Sequence, residues 1–129
     1  MRVSAFSLPA FQTALSSIAG QALPVKTSFK IKKMFKVIED EMKNLEEVKK
    51  SLVQRFGERL ESGELKEDEN GMIRLDLARK SEWESQVIEM ETIQSEVLPL
   101  SIDELGEKVE ISPSHLIFLV ELGFLVETP

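Results

Sequence analysis

Apolar side chains recur at three- and four-residue spacing over a long central stretch of the chain, from Ser28 to Phe56. The other positions of this stretch are nearly all Lys, Glu, Asp, Asn or Gln. The apolar positions are Ile31, Met34, Phe35, Ile38, Met42, Leu45, Val48, Leu52 and Phe56. An α-helix places residues three and four apart on one face, so the spacing predicts one long amphipathic helix over residues 28–56. Thr27 or Ser28 is the predicted cap.

A second helix is predicted from Leu77 to Ser95, with Asp76 as a candidate cap and Ser81-Glu82-Trp83-Glu84 as a second, capping-box-like start. Its apolar stripe consists of Trp83, Val87, Met90, Ile93 and Val97. The two stripes complement each other, so we predict an antiparallel, coiled-coil-like helical hairpin with a crossing angle of about 20°. Trp83 should then pack near Leu52 or Phe56.

The residues between the two long helices contain Asn70-Gly71. This dipeptide favours a tight two-residue turn, since both residues tolerate positive φ. A small β-hairpin over residues 65–75 is therefore predicted at the tip of the helical hairpin, and a loop is the alternative.

The two chain ends have shorter elements. A first helix is predicted from Pro9 to Ile18, an extended segment over residues 96–101, and a single capped turn over residues 101–105. A last helix should begin with Ser112 as cap and Pro113 in its first turn. The predicted fold is mainly α and a single domain over residues 1–129. Residues 28–96 form a stalk, and residues 1–25 and 97–129 form a helical head.

The charge is divided unevenly along the chain. Residues 1–38 contain six basic residues and no acidic ones, whereas residues 39–129 contain ten basic and 23 acidic residues, a net charge of −13. The six are Arg2, Lys26, Lys30, Lys32, Lys33 and Lys36. A solvated helix start is one interpretation, and a docking end for an acidic partner or nucleic acid is the other. The overall charge of −7 disfavours non-specific binding to nucleic acid.

No catalytic or metal-binding pattern is present in the sequence. The chain has no cysteine, which excludes disulfides and thiolate chemistry, and its single histidine, His115, begins a helix. The acidic run before Gly71 fails as a calcium loop, because Leu77 stands where the bidentate glutamate is needed. We expect no cofactor and no enzymatic activity. The N-terminal residues look faintly like a signal peptide, but polar residues interrupt the apolar run, and no stretch has the roughly 20 apolar residues of a membrane span.

Several residues are candidates for partner binding. The C-terminal run HLIFLVELGFLV is apolar on nearly every side of a short helix. It is either buried in the fold or presents an apolar patch to a partner. Phe118 and Phe124 are the candidates there, and Lys30 and Lys33 are the candidates in the basic stretch. Core packing is the expectation for Phe29 and Phe35, which are interleaved with the lysines.

The order of segments resembles a family of small uncharacterised proteins encoded by tailed bacteriophages. The strings that carry this resemblance are LPVKTSFKIKKMFKVIEDEMK, QRFGE, DENG, EVLPLSIDEL and ISPSHLIFLVELGF, within residues 22–124. The helical hairpin also resembles the β-type subunit of prefoldin, although that subunit lacks such an apolar C-terminal helix. The resemblance implies a phage accessory or virion protein and gives no catalytic residues.

The expected function is therefore protein–protein contact, as a virion component or an assembly accessory, in the virion or the host cytoplasm. The alternative is a phage-encoded inhibitor or modulator of a host nucleic-acid enzyme, because an acidic chain can compete for a basic groove. A prefoldin-like holdase ranks third. The partner would be a phage or host protein, a membrane is not expected, and self-association is a further expectation.

Overall fold

A computed structural model describes residues 1–127 of the chain. These residues are mainly helical, with 60% helix, four α-helices and a small two-stranded sheet. The α-helices are α1 (Pro9–Ala19), α2 (Val25–Phe56), α3 (Lys80–Glu91) and α4 (Pro113–Glu121). Short 3₁₀ helices cover Val3–Ser7, Leu77–Arg79 and Ile102–Leu105. The prediction of a mainly α fold is confirmed.

The long helix α2 begins at Val25, three residues before its predicted start. The amide of Ser28 already donates to the carbonyl oxygen of Pro24 at 3.0 Å, so the helical bonding pattern starts there. Thr27 is 4% exposed, and its hydroxyl donates to the carbonyl oxygen of Glu104. The prediction that Thr27 or Ser28 caps the helix is therefore wrong, because both residues lie inside the first turn.

Most of the predicted stripe on α2 is buried. The buried residues are Ile31, Met34, Ile38, Leu45, Leu52 and Phe56. By contrast, Phe35 is 42% and Val48 39% exposed. Each lies on a flank of the buried stripe, because a straight helix advances about 100° per residue. The buried stripe is therefore narrower than the sequence pattern predicts.

The contacts divide the chain into two compact units, Met1–Met42 with the described part of Gln94–Pro129, and Lys43–Ile93. Three phenylalanine rings form the centre of the first unit. The ring centroid of Phe11 lies 5.5 Å from that of Phe6 and 5.3 Å from that of Phe124, the latter edge to face. All three side chains are at most 1% exposed. The prediction of a single domain stays a prediction.

Two short strands in the first unit join distant parts of the chain. Strand β1 (Leu100–Ser101) pairs in parallel with β2 (Leu125–Val126). After β1, Ser101 and Glu104 form a capping box, as the predicted capped turn requires. Ser112 accepts a hydrogen bond from the amide of His115, and Pro113 is the first residue of α4. Both predicted helix starts are confirmed.

The second unit contains three antiparallel bridges, Gly57 with Leu75, Arg59 with Leu65, and Glu67 with Ile73. The first bridge closes a stem at the end of α2, and the other two close two small hairpins that branch from it. Gly57 lies where the three meet. A carbon atom at its Cβ position would approach Leu65 Cδ2 to 2.8 Å and Ile73 Cγ2 to 2.9 Å. Only a residue without a side chain fits there.

The turn at Asn70-Gly71 differs from the prediction. The amide of Asp68 donates to the carbonyl oxygen of Met72, which closes a three-residue loop, and Gly71 alone of that loop has a positive φ, +74°. The Asp68 carboxylate accepts hydrogen bonds from the amides of Asn70 and Met72. These bonds hold a loop one residue longer, so the predicted two-residue turn is wrong.

Helix α3 is shorter than predicted, because residues 77–79 form a 3₁₀ turn and the α-helix ends at Glu91. Asp76 caps this turn through the amide of Ala78. Trp83 is half-buried and lines a cleft of about 180 Å³ together with Leu52 and Phe56. The expected neighbourhood of Trp83 is therefore present.

Candidate partner-binding surface

The first turns of α2 present an exposed surface that we call the basic face. It consists of Val25, Lys26, Phe29, Lys32, Lys33 and Lys36. At about 100° per residue these positions cover roughly a third of the helix circumference. The buried residues Thr27, Ile31 and Met34 lie on the opposite side. The helix therefore packs by one side and presents lysines and two apolar side chains on the other.

Phe29 has a different environment from the one expected. Its side chain is 61% exposed, so the expectation of core packing for Phe29 is wrong. The ammonium group of Lys33 lies 4.7 Å from the ring centroid, within range of a cation–π interaction. Val25, one turn before Phe29, is 85% exposed. The three- and four-residue periodicity did not identify these two residues as an exposed apolar pair, because both lie outside the predicted apolar stripe.

Lys30, the other predicted basic candidate, is engaged within the protein. Its ammonium nitrogen lies 3.1 Å from Glu104 Oε2 and 3.4 Å from the carbonyl oxygen of Pro99. The hydrogen bond from the backbone amide of Ser101 is the largest cause that holds the pKa of Glu104 below its usual value. Burial opposes this shift, and the hydrogen bond and charge of Lys30 lower the pKa further. The Lys30 side chain is only 34% exposed. Lys30 therefore orients the turn after β1. Unlike Lys33, it is not available to bind a partner.

The two C-terminal aromatic candidates are placed differently from each other. Phe124 is 1% exposed and packs edge to face on Phe11, so it is a core residue. The expectation that Phe124 contributes to an apolar patch for a partner is wrong, because the pairing of β2 with β1 places Phe124 in the aromatic cluster. Phe118 is half-buried. On the same helix, Ile117 is 58% and Val120 38% exposed, and these two provide the apolar surface of α4.

A shallow apolar cleft separates α1 from α2 in the first unit. Its volume is about 390 Å³. Its apolar lining consists of Phe6, Phe11, Leu15, Phe35, Ile38 and Met42. The cleft explains why Phe35 remains 42% exposed, since no side chain of the described residues fills the space beside it. The expectation of a buried Phe35 is therefore wrong as well.

Within residues 1–127 no group of three or more His, Asp or Glu side chains could hold a metal ion. None of the helices in this part of the chain is long and apolar enough to cross a membrane. No family model, curated protein or solved structure matches the chain.

Proposed function

We propose that this protein works by protein–protein contact, without catalysis, as a virion component or assembly accessory of a tailed bacteriophage. The observation that carries the proposal is the pair of exposed apolar side chains at Val25 and Phe29, 85% and 61% exposed. An exposed side chain of this size forgoes about 1.5–3 kcal/mol of burial free energy. A partner that covers both would recover this free energy.

The arrangement of these residues supports the proposal more than their number does. Single exposed apolar residues are common on protein surfaces and need no explanation. Val25 and Phe29, however, are four residues apart on one helix and therefore neighbours. Ile117 and Val120 are three apart on α4 and adjacent in the same way. Each pair is a contiguous strip of the kind that amphipathic contacts use.

The bacteriophage assignment is supported by the segment order described for residues 22–124, which resembles that of small phage proteins. A fold made of helices and short turns agrees with a role in assembly. We also propose that α3 packs antiparallel along the part of α2 that lies in Lys43–Ile93. The shared cleft of Trp83, Leu52 and Phe56 supports this packing.

The experiment is affinity capture of the tagged full-length protein from phage-infected cells, followed by mass spectrometry. Purified particles are analysed in parallel. We expect one phage protein to be captured in stoichiometric amount and the protein to be present in particles. Capture of a host nucleic-acid enzyme instead would favour an inhibitor. Absence from particles despite abundance in cells would contradict the virion role, and no captured protein would contradict the contact role.

A further inference from the structure

We propose that the basic face of α2 binds an acidic peptide segment that carries at least one large apolar side chain. This inference rests on the proposed function and names the surface and the chemistry of the partner. Two independent observations on the same helix turns support it. One is the set of lysines without a nearby carboxylate, and the other is the exposed apolar pair Val25 and Phe29.

The lysines of the basic face are crowded without enough negative charge nearby. Lys26 precedes Lys30 by four residues, and Lys32 precedes Lys36 by four, a spacing at which like charges repel. Lys26 also lies in the first turn of the helix, where the macrodipole disfavours positive charge. A lone helix in water would be more stable with acidic residues at these places.

Only part of this charge is neutralised within the protein. Lys30, which is not part of the basic face, pairs with Glu104, and Lys36 of the basic face lies 3.5 Å from Asp40 on the next turn. For the other three lysines of the basic face, no carboxylate lies within 4 Å among residues 1–127. Carboxylates of a partner would therefore supply the missing negative charge.

The apolar pair determines what else the partner must carry. The Lys33 ammonium lies 4.7 Å from the centroid of the Phe29 ring, so one part of the ring is already in contact with a cation. Val25 extends the apolar surface by one turn towards the helix start. A purely acidic chain would leave both side chains in water, whereas a leucine or phenylalanine on the partner would cover them.

A nucleic acid fits this surface less well than an acidic peptide does. Single strands bind by stacking bases on open aromatic faces, and the basic face has one aromatic ring that a lysine already contacts. Val25 offers nothing to a phosphate. The net charge of −7 also repels a long polyanion, whereas a short acidic segment is repelled less.

The test measures fluorescence anisotropy of a labelled peptide in which glutamates alternate with leucine and phenylalanine. The full-length protein is titrated at low and at high salt. The main variant is Lys26→Glu/Lys32→Glu, and its matched control is Lys43→Glu/Lys50→Glu, with the same change in charge on exposed positions of the same helix. Loss of two attractive contacts and gain of two repulsive ones should weaken binding about tenfold.

The main variant should fold at least as well as the wild type, because each introduced glutamate would stand four residues before a lysine, Lys30 or Lys36. Its thermal midpoint is measured to verify this. Phe29→Ala should also weaken binding of the peptide, whereas the control variant should bind the peptide nearly as tightly as the wild type does. Binding should fall as salt rises, and replacing the glutamates of the peptide by glutamine should abolish it.

Three results would overturn the inference. They are absence of peptide binding, equal loss in the control variant, and tighter binding of oligothymidylate than of the peptide. Failure of the proposed function is distinguishable from these. If the main variant still captures the partner from infected cells, only the proposal for the basic face is overturned. If no partner is captured at all, the proposed contact function itself is contradicted.

Discussion

Gly57→Ala tests how the two small hairpins of the second unit are packed against the end of α2. Gly57 is the residue after the helix, and its amide donates to the carbonyl oxygen of Val53 at 2.9 Å. An added Cβ atom would lie 2.7 Å from that same oxygen, 2.8 Å from Leu65 Cδ2 and 2.9 Å from Ile73 Cγ2. Real Cβ atoms essentially never approach other heavy atoms so closely. The helix end, both hairpins or all three must therefore shift.

The expected change in the free energy of unfolding follows from two opposing effects. Forcing an extra methyl group into a closely packed site costs about 1–3 kcal/mol. Replacing glycine by alanine also restricts the unfolded chain, which contributes about 0.4–1 kcal/mol in favour of the variant where the backbone permits it. Because one of the three close atoms is a backbone oxygen, packing should dominate. We expect Gly57→Ala to lower the free energy of unfolding by about 1–2 kcal/mol.

Urea unfolding followed by tryptophan fluorescence is the suitable assay. Trp83 is the single tryptophan and lines the same cleft as Gly57, so its emission reports on this unit. Gly20→Ala is the control, since a Cβ atom there meets only the Ser16 carbonyl oxygen, at 3.5 Å. Because Gly20 lies in the first unit, the unfolding of this variant is followed by circular dichroism. We expect the control to be as stable as the wild type or slightly more so. A Gly57→Ala variant with unchanged or higher stability would refute this description of the junction.

Four further predictions concern the first unit. Because the pKa of Glu104 lies below its usual value of 4.5, its charge stabilises the fold above that pH and this stabilisation is lost as the pH falls below it. Acid titration by circular dichroism should show a smaller loss for Glu104→Gln than for the wild type. Phe124→Ala should cost about 3–5 kcal/mol in urea unfolding, whereas Phe29→Ala should change stability by less than about 0.5 kcal/mol. Lys26→Glu should raise stability by about 0.3–1 kcal/mol at low salt, measured by thermal unfolding, and a lower midpoint would contradict the charge-crowding argument.

Local signals in the sequence predicted the capped turns at Ser101 and Ser112, although the starts of α2 and α3 were each misplaced by three residues. Ser112 followed by Pro113, and Ser101 followed three residues later by Glu104, identify capped turns because a side chain and a backbone amide only three residues away form the bond. The bounds of α1 agreed with the sequence within one residue. Such features depend on neighbours along the chain, and a sequence pattern contains these directly.

Features that depend on distant residues could not be predicted in the same way. Phe124 is in the core because β2 pairs with β1, which lies 25 residues earlier at the register Leu100 with Leu125. Phe35 matches the helical period, yet the width of the cleft beside it decides its exposure. Gly57 has an ordinary backbone conformation, and only the approach of Leu65 and Ile73 explains why a glycine stands there.

The same limit applies to the candidate surface. The sequence identified a basic segment and named Lys30 and Lys33 together, but only the structure separates them. Lys30 is paired with Glu104, whereas Lys33 lies over the exposed ring of Phe29. The distinction arises from a turn more than 70 residues away along the chain. The residues of the candidate surface could therefore be identified only once the fold was known.

Photo-crosslinking in infected cells tests the central claim most directly. Benzoylphenylalanine replaces Phe29 in the full-length protein, and in a matched control it replaces Ile88, which is 66% exposed on α3. After irradiation the crosslinked species are identified by mass spectrometry. We predict one protein crosslinked at position 29 and not at position 88, through a segment rich in Asp and Glu. No crosslink above the control, or a crosslink to nucleic acid, would contradict the account.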